Sequence, residues 1–280
     1  MENRDRASGW KHAKLSGHKN EEILALRMRE DEEYIKDFLA RIGKADRKIK
    51  SVDIGGLCET DVPCIFDGEK TKSKPDMKIT FDDDSVYRIS IKKSTGGQVY
   101  LINTQRFING FEKQYNKVIS ENVKRAIKLF WGYSDETNEV IEKFATQRNY
   151  ETRKRRVVAD TLIAFDKTLY DALLEWFKLN IADITDFCFS KGLAANKEDW
   201  ADVVWYKNEL DENDEDEIFV IKDLCALMEK NADKYVFYGN RTGGSTIQLP
   251  FGFVQWHSPT KKIPGDMQFH HKLDTIKKLK

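Results

Sequence analysis

The sequence lacks any apolar run near the roughly 20 residues that a membrane-spanning helix requires. Its amino-terminal residues are charged, whereas a secretion signal would carry an apolar stretch. These two absences argue against an integral membrane protein and against a secreted one. We therefore expect a soluble, cytoplasmic protein with no membrane partner.

Cysteine is scarce, and the residues of this type lack the paired CxxC spacing of zinc sites: Cys58, Cys64, Cys188 and Cys225. Histidine does not supply the missing ligands, because the adjacent His270 and His271 would point to opposite sides of a strand. We predict free thiols, with neither a disulfide framework nor a structural zinc ion.

An excess of charge of one sign is also absent, since 47 basic and 47 acidic residues cancel. Any attraction to nucleic acid must therefore be local. Basic residues cluster at Arg148 and Arg153–Arg156, and again at Lys261, Lys262 and the KKLK terminus. Such clusters contact phosphates in DNA-binding proteins, although solvated helix faces have the same composition. The acidic run Asp211–Glu217 is predicted to be an exposed loop.

The most informative stretch covers residues 75–93, PDMKITFDDDSVYRISIKK. Apolar and polar residues alternate on both sides of an Asp-rich segment, which predicts a tight β-hairpin. If the hairpin centres near Asp84, antiparallel pairing places Asp76 roughly opposite Lys92. Ser90 is two residues before Lys92, so both side chains leave the same face of the strand.

This grouping suits phosphodiester hydrolysis. A carboxylate can hold Mg²⁺ against the scissile phosphate, and an amine can orient water or offset the developing negative charge. The alternative is a cross-strand pair of Asp76 and Lys92 that only stabilises the hairpin, by a few tenths of a kcal/mol.

The segment Lys93–Tyr100 follows the second strand directly and is predicted to be a loop that is basic, rich in hydroxyl groups and interrupted by glycines. Glycines let backbone amides approach phosphates, and Gln98 can pair with the edge of an adenine. The alternative is a plain connection between a strand and a helix. Further on, helical periodicity extends from about Val118 to Lys178, and strand-like segments return after Glu217.

The Pro-Asp and Ser-Ile-Lys strands resemble the PD-(D/E)xK nuclease superfamily, in which an acid usually stands where this chain has Ser90. From end to end the chain is similar to small type II restriction endonucleases, the MspI-like subgroup and its relatives that cut GCGC. The similarity includes the Lys-Asn-Glu segment at 19–21, LeuLeuGluTrpPheLys at 173–178 and the tail that ends in Met267-Gln268-Phe269. In the MspI-like subgroup an uncharged Asn or Gln fills the position of Ser90.

The resemblance implies an α/β fold, with a mixed central sheet flanked by helices, and a Mg²⁺ cofactor. Asp76 would be the main metal ligand, Glu21 an auxiliary acid with Glu22 in reserve, and the carbonyl of Ile91 a further ligand. Lys92 would orient or activate the attacking water, and Ser90 would hold a metal-coordinated water or a phosphate oxygen. Glu21 would lie in the first turn of a helix that Asn20 caps and that runs to about Ile42. The alternative is that Glu21 only interacts favourably with the helix dipole and does not bind a metal ion.

The resemblance also implies double-stranded DNA as the partner, cut at a short palindrome that is four base pairs long and GC-rich. We expect one nuclease domain over residues 1–280, with a catalytic core at 1–130, a mainly helical part at 131–210 and a strand-rich recognition part at 211–280, acting as a monomer or a homodimer. The predicted DNA-binding residues are Lys93, Ser94, Gln98, Arg153, Arg155, Arg156, Arg241, Gln255, His257 and Lys261.

Two other functions remain open. A repair or recombination nuclease of the same superfamily would share the site but cut damaged, mismatched or branched DNA. A DNA-binding protein without activity would result if Ser90 has disabled metal binding.

Overall fold

The structure, a computed structural model, describes residues 6–55, 61–145, 156–210, 215–258 and 264–280. The chain forms two compact units. The first unit gathers the described parts of three stretches, Met1–Pro63, Lys70–Thr95 and Phe189–Lys222. The second unit consists of Cys64–Glu69 and the described parts of Gly96–Cys188 and Asp223–Lys280.

The first unit contains two consecutive helices and most of the strands from the first half of the chain. Its helices and strands are α1 (Arg6–Glu30), α2 (Glu32–Arg41), β1 (Ile49–Ile54), β2 (Asp61–Pro63), β3 (Lys70–Lys72), β4 (Met77–Phe81), β5 (Val86–Lys92), β7 (Val203–Lys207) and β8 (Asp216–Val220), with a 3-10 turn at Lys197–Asp199. The strands β2 and β3 form a separate hairpin.

The main sheet of the first unit has the strand order β1-β4-β5-β7-β8. β5 pairs antiparallel with β4 and parallel with β7, so the sheet is mixed. Apolar residues of β4 alternate with polar ones, and Met77, Ile79 and Phe81 are buried. They pack in one core with Leu24 and Phe38 from the helices. Burial of this face fixes the register, because a shift of one residue would turn the apolar side chains to solvent.

The acidic run differs from its prediction as an exposed loop. Residues 211–214 lie outside the described part of the chain, but Asp216 belongs to β8 and is paired within the first unit. Its carboxylate lies 2.9 Å from Arg41 and 3.2 Å from Lys207, and it accepts a hydrogen bond from Trp205 Nε1 at 2.8 Å. Burial acts to raise the pKa of Asp216, but these three partners together outweigh it and lower the pKa.

The second unit contains most of the helices that the periodicity predicts and a second sheet. Its helices and strands are α3 (Thr104–Tyr115), α4 (Glu121–Trp131), α5 (Thr137–Phe144), α6 (Ala159–Phe165), α7 (Lys167–Leu179), α8 (Ile181–Asp186), most of α9 (Ile221–Lys230), α10 (Ala232–Tyr235), α11 (Leu273–Lys277), β6 (Gly96–Ile102), β9 (Phe237–Tyr238), β10 (Thr246–Leu249), β11 (Gly252–His257) and β12 (Asp266–Lys272), with a 3-10 turn at Arg241–Gly243.

The sheet of the second unit has the order β6-β12-β11-β10-β9, and every neighbouring pair is antiparallel. Its inner face packs on α3, where Phe107 lies 5.7 Å from Phe269 between ring centroids. Ser120 and Asp166 accept backbone hydrogen bonds at the starts of α4 and α7. These are the side-chain types that cap the first turn of a helix.

The predicted α/β class, with a mixed central sheet flanked by helices, is confirmed. Cys64, Cys188 and Cys225 are free thiols, as predicted, whereas Cys58 lies outside the described residues. In the described part of the chain, no helix is both long enough and apolar enough to cross a membrane.

Candidate active site

The hairpin of β4 and β5 positions the acid that the sequence singles out. Met77 pairs with Ile89, and the N–H of Asp76 donates to the Ile89 carbonyl at 2.8 Å. Asp76 therefore faces Ser90, and the prediction that it lies opposite Lys92 is wrong.

The turn of this hairpin explains the difference. Phe81 N–H donates to the Ser85 carbonyl at 2.9 Å, which leaves a loop of residues 82–84 centred on Asp83. Asp84 adopts the left-handed conformation, with a φ of 62°. A three-residue loop that ends in this conformation matches the twist of a hairpin. Because the loop is centred one residue earlier than predicted, each residue on the first strand faces a partner two positions earlier on the second strand.

Asp76, Ser90 and Lys92 form a continuous hydrogen-bonded group. The Ser90 hydroxyl donates to Asp76 Oδ2 at 3.2 Å, and the backbone N–H of Ile91 donates to the same oxygen at 2.6 Å. Lys92 Nζ in turn donates to Ser90 Oγ at 2.6 Å and lies 3.4 Å from the Ile91 carbonyl oxygen. Ser90 is only 1% exposed, and it joins the acid to the amine.

Glu21 lies near this group, because the charges of Asp76 and Lys92 both act on its carboxyl group. Burial raises the pKa of Glu21 to about 7, the negative charge of Asp76 acts in the same direction, and His18 and Lys92 oppose the rise. His18 Nδ1 lies 3.1 Å from Glu21 Oε2, one helical turn away. Glu22, the reserve candidate, is exposed.

The helix that carries Glu21 is held in place by Asn20. The Asn20 amide donates to the Lys207 carbonyl at 2.9 Å and accepts from the N–H of Glu209 at 2.7 Å. Asn20 is fully buried inside α1, which begins at Arg6, so its predicted role as an N-cap is wrong. The acid that starts the next helix is Asp31, whose side chain accepts from Tyr34 N–H. The helical run ends at Ile42, as predicted.

The donor set fits a hard divalent cation. Asp76 Oδ2 already accepts two hydrogen bonds, whereas Oδ1 accepts none from the residues that the structure describes. Mg²⁺ prefers oxygen ligands, and the site offers the carboxylates of Asp76 and Glu21 and the main-chain carbonyl of Ile91. Among the described residues no group of three or more His, Cys, Asp and Glu side chains is arranged to hold a metal ion. Such a cation would therefore take much of its coordination from the carbonyl, water and substrate.

The segment after Lys92 is shorter than its predicted loop. Lys93 and Ser94 follow β5 in the first unit, but strand β6 already begins at Gly96. Gln98 therefore lies in the sheet of the second unit, paired with His270. The glycines do not form a loop here, because the β6 backbone is hydrogen-bonded along β12.

The other predicted DNA-binding residues fall into three groups. Arg241 is exposed in its 3-10 turn, and Gln255 and His257 lie on β11 in the second unit. Arg156 is 7% exposed, donates to the Ser245 carbonyl at 2.7 Å and lies over the Trp256 ring, so the fold uses its guanidinium internally. The remaining three lie outside the described residues: Arg153, Arg155 and Lys261.

His18, which lies beside Glu21, is not among the site residues predicted from the sequence. The signal was present, because residues three apart on a helix lie on the same face. Gln248, Gln268 and Lys272 are also absent from the predicted residues, although they alternate with buried residues along β10 and β12 and therefore lie on an open face.

No protein-family model matches the chain, and no curated protein matches it either. Among solved structures, it is similar to a crystal structure of restriction endonuclease MspI in complex with its cognate DNA. The two chains are 14% identical, the match covers 85% of this chain and 77% of that one, and the TM-score is 0.48.

Proposed function

We propose that this protein is a Mg²⁺-dependent endodeoxyribonuclease of the type II restriction class. The observation that carries the proposal is the hydrogen-bonded group of Asp76, Ser90 and Lys92 with the carboxyl group of Glu21 beside it. The resemblance of the two strands to the PD-(D/E)xK superfamily supports the same chemistry. Hydrolysis of a phosphodiester needs a place for a cation and a positive charge beside it, and this group provides both.

Each residue has a role that its contacts allow. Asp76, Glu21 (directly or through water) and the carbonyl of Ile91 would hold Mg²⁺. When bound, the ion supplies Lewis-acid stabilisation of the charge that builds on the phosphate. Lys92 orients the attacking water and places its positive charge near the substrate, because the Ser90 hydroxyl fixes its ammonium group.

Ser90 suits this role although a carboxylate is usual at its position. A hydroxyl both donates and accepts, whereas an ionised carboxylate only accepts. Ser90 can therefore give a hydrogen bond to Asp76 and take one from Lys92 at the same time. A third carboxylate would add negative charge near Glu21, whose pKa is already raised by burial and by the charge of Asp76.

We propose that the substrate is double-stranded DNA with a short palindromic site, four base pairs long and GC-rich, as the resemblance implies. The enzyme would act on it as a monomer or as a homodimer. Digestion of a sequenced plasmid, followed by sequencing of the ends, tests this part. One fixed short site supports a restriction enzyme, and scattered ends or cuts at damaged or branched positions support a repair or recombination nuclease.

The catalytic part is tested with Asp76→Ala and Lys92→Ala. We expect both variants to lose Mg²⁺-dependent cleavage of the plasmid while they remain folded and largely keep their affinity for duplex DNA. Two exposed residues of the same unit provide matched controls, Asp82→Ala and Lys48→Ala, and these should cut like the wild type. Cleavage that persists in both site variants would reject this site.

A DNA-binding protein without hydrolytic activity is the second candidate. It is favoured by one observation, that the described residues bring two carboxylates rather than three to the site. Calorimetric titration of the protein and duplex DNA with Mg²⁺ or Ca²⁺ separates the candidates. The nuclease should bind the ion in a manner that Asp76→Ala abolishes, and the inactive protein should show no metal-linked binding.

A further inference from the structure

The outer face of the second sheet carries an unusual set of side chains. On β10, β11 and β12 the inward residues are buried, among them Ile247, Val254 and Phe269. The outward residues are partly or fully exposed and mostly uncharged: Thr246, Gln248, Phe253, Gln255, His257, Asp266, Gln268, His270 and Lys272, together with Phe237 on β9 and Gln98 on β6. A sheet face that contacts only water is usually rich in charged groups. Four glutamines on one face therefore indicate a role other than solvation.

Three of these glutamines hold one another in a row across the strands. Gln255 Nε2 donates to Gln268 Oε1 at 2.9 Å, and Gln268 Nε2 donates to Gln98 Oε1 at 2.8 Å. Gln255 Nε2 also lies 3.3 Å from His270 Nε2. The row leaves Gln255 Oε1 and Gln98 Nε2 without partners among the described residues. A fixed amide with a free acceptor or donor can recognise a complementary edge at little entropic cost.

A groove of about 560 Å³ opens beside this row. Gln248 and Gln255 line it together with Phe253 and two cations, Arg241 and Lys272. No carboxylate is among the described residues that line it. Both cations are exposed, and neither has an ion-pair partner in the described part of the chain. The groove therefore favours an anionic ligand.

Flat apolar surface lies next to the amides and the cations. Phe253 stacks on His270 with the ring centroids 4.6 Å apart and the planes at 6°, and Lys272 Nζ lies 5.1 Å from the Phe253 centroid. Phe237, which also lines the groove, is 43% exposed. Gly239 leaves the space that the Gln248 amide and the Thr246 hydroxyl occupy, because a Cβ at this position would overlap both.

We propose that this sheet face is a DNA-recognition surface, on which Arg241 and Lys272 contact phosphates and the amides of Gln248 and Gln255 pair with base edges. That the ligand is DNA rests on the proposed function. The new element is the surface of the protein that recognises the base sequence of this DNA. Free phosphate would need only the cations, and a carbohydrate site would commonly add carboxylates. Cations, amides and flat rings together match the phosphates, edges and faces of nucleotides. A β-sheet surface is an established means of entering a groove of the duplex.

The experiment uses the full chain with Asp76→Ala, so that the probe is not cut, and a pool of 20-base-pair duplexes with a randomised centre. Affinity is measured by fluorescence anisotropy at several salt concentrations. Because each lost phosphate contact lowers the salt slope by about 1, adding Arg241→Ala and Lys272→Ala should lower it by about 2. The matched control is Lys113→Ala, an exposed lysine on α3 of the same unit, which should leave the slope unchanged.

Sequencing of the bound duplexes tests the amides. We expect Gln255→Leu to relax the preference for one base roughly tenfold at one position of the selected site, with the salt slope unchanged. Gln105→Leu is the control, because the Gln105 amide lies on α3 and bonds only to Asn109 among the described residues. Thermal melts show whether each variant is folded, and Gln255→Glu provides a second variant that keeps the side-chain shape.

The outcomes separate this proposal from the nuclease proposal. If the wild type cuts a plasmid and the variants keep its salt slope and its site, the sheet face is not the recognition surface and the nuclease proposal stands. If the wild type does not cut but binding depends on Arg241, Lys272 and Gln255 as expected, the surface stands and the nuclease proposal fails. Equal binding of a single-stranded oligonucleotide, or no binding of any duplex, would also overturn the assignment.

Discussion

Glu21→Gln replaces a carboxyl group whose side chain is 15% exposed by an uncharged amide of the same shape. In the wild type, burial and the charge of Asp76 raise the pKa of Glu21 from 4.5 to about 7. One pKa unit corresponds to about 1.4 kcal/mol, so ionised Glu21 should cost the folded protein about 3 kcal/mol relative to the unfolded chain. The glutamine variant avoids this cost.

The sign of the effect follows from the direction of the shift. The folded-state pKa lies above the unfolded value, so the stability that Glu21 contributes is fully present below about pH 4.5 and lost as the pH rises towards 7. The free energy of unfolding of Glu21→Gln relative to the wild type should therefore increase by about 2 kcal/mol from pH 5 to pH 8.

Urea unfolding in the presence of EDTA, at pH 5 and at pH 8, measures this difference. Glu22→Gln is the matched control, because Glu22 is the next residue of the same helix and is exposed. Its unfolding free energy should follow that of the wild type at both pH values. Subtracting the wild-type values removes the contribution of titrating groups that do not interact with Glu21.

Addition of Mg²⁺ at pH 8 extends the test to the proposed ligand role. Because a ligand that binds only the folded state stabilises it, Mg²⁺ should raise the melting temperature of the wild type more than that of Glu21→Gln. If the unfolding free energies of the wild type and Glu21→Gln run parallel from pH 5 to pH 8, Glu21 is not buried beside another carboxylate and the account of the site is wrong.

Three further changes test separate parts of the structure. Ser90→Ala removes the hydroxyl between the acid and the amine, and it should cost about 1–3 kcal/mol in urea unfolding and lower plasmid cleavage at least tenfold; wild-type values for both would contradict its bridging role. Arg156→Met should lower the unfolding free energy by about 2–4 kcal/mol because the bond to the Ser245 carbonyl is lost, whereas an unchanged stability with weaker DNA binding would show that this arginine contacts phosphate instead. Gly252→Ala should cost more than about 2 kcal/mol in the same assay, since its φ is 154° and a Cβ would overlap the facing strand, while Gly43→Ala, with a φ of 70° but open space around it, should cost about 1 kcal/mol.

The sequence by itself determined the elements that depend on local chemistry. Alternation of apolar residues predicted β4 and β5, and helical periodicity predicted the helices between Val118 and Lys178. The residues that meet at the candidate site were also predicted, because Asp76, Ser90 and Lys92 lie on two strands joined by a short turn. Short sequence separation leaves few ways for such residues to be arranged.

The tertiary structure decided what depends on distant partners. Asn20 looks like a helix cap in sequence, but it is buried because residues almost 190 positions away bond to it. Arg156 belongs to a basic cluster, yet its guanidinium is used inside the second unit. The sequence around Gln98 predicts a loop, but Gln98 lies on β6 and pairs with β12 near the other end of the chain.

The register of the hairpin depends partly on local sequence and partly on distant partners. The Asp-rich segment predicts a turn, but which residue adopts the left-handed conformation depends on the burial of Met77, Ile79 and Phe81 against the helices. Burial energy is summed over the whole core, and local patterns contain only part of it. For the same reason the sequence could propose Glu21 as a ligand, while its raised pKa came only from the folded arrangement of α1 against the strands.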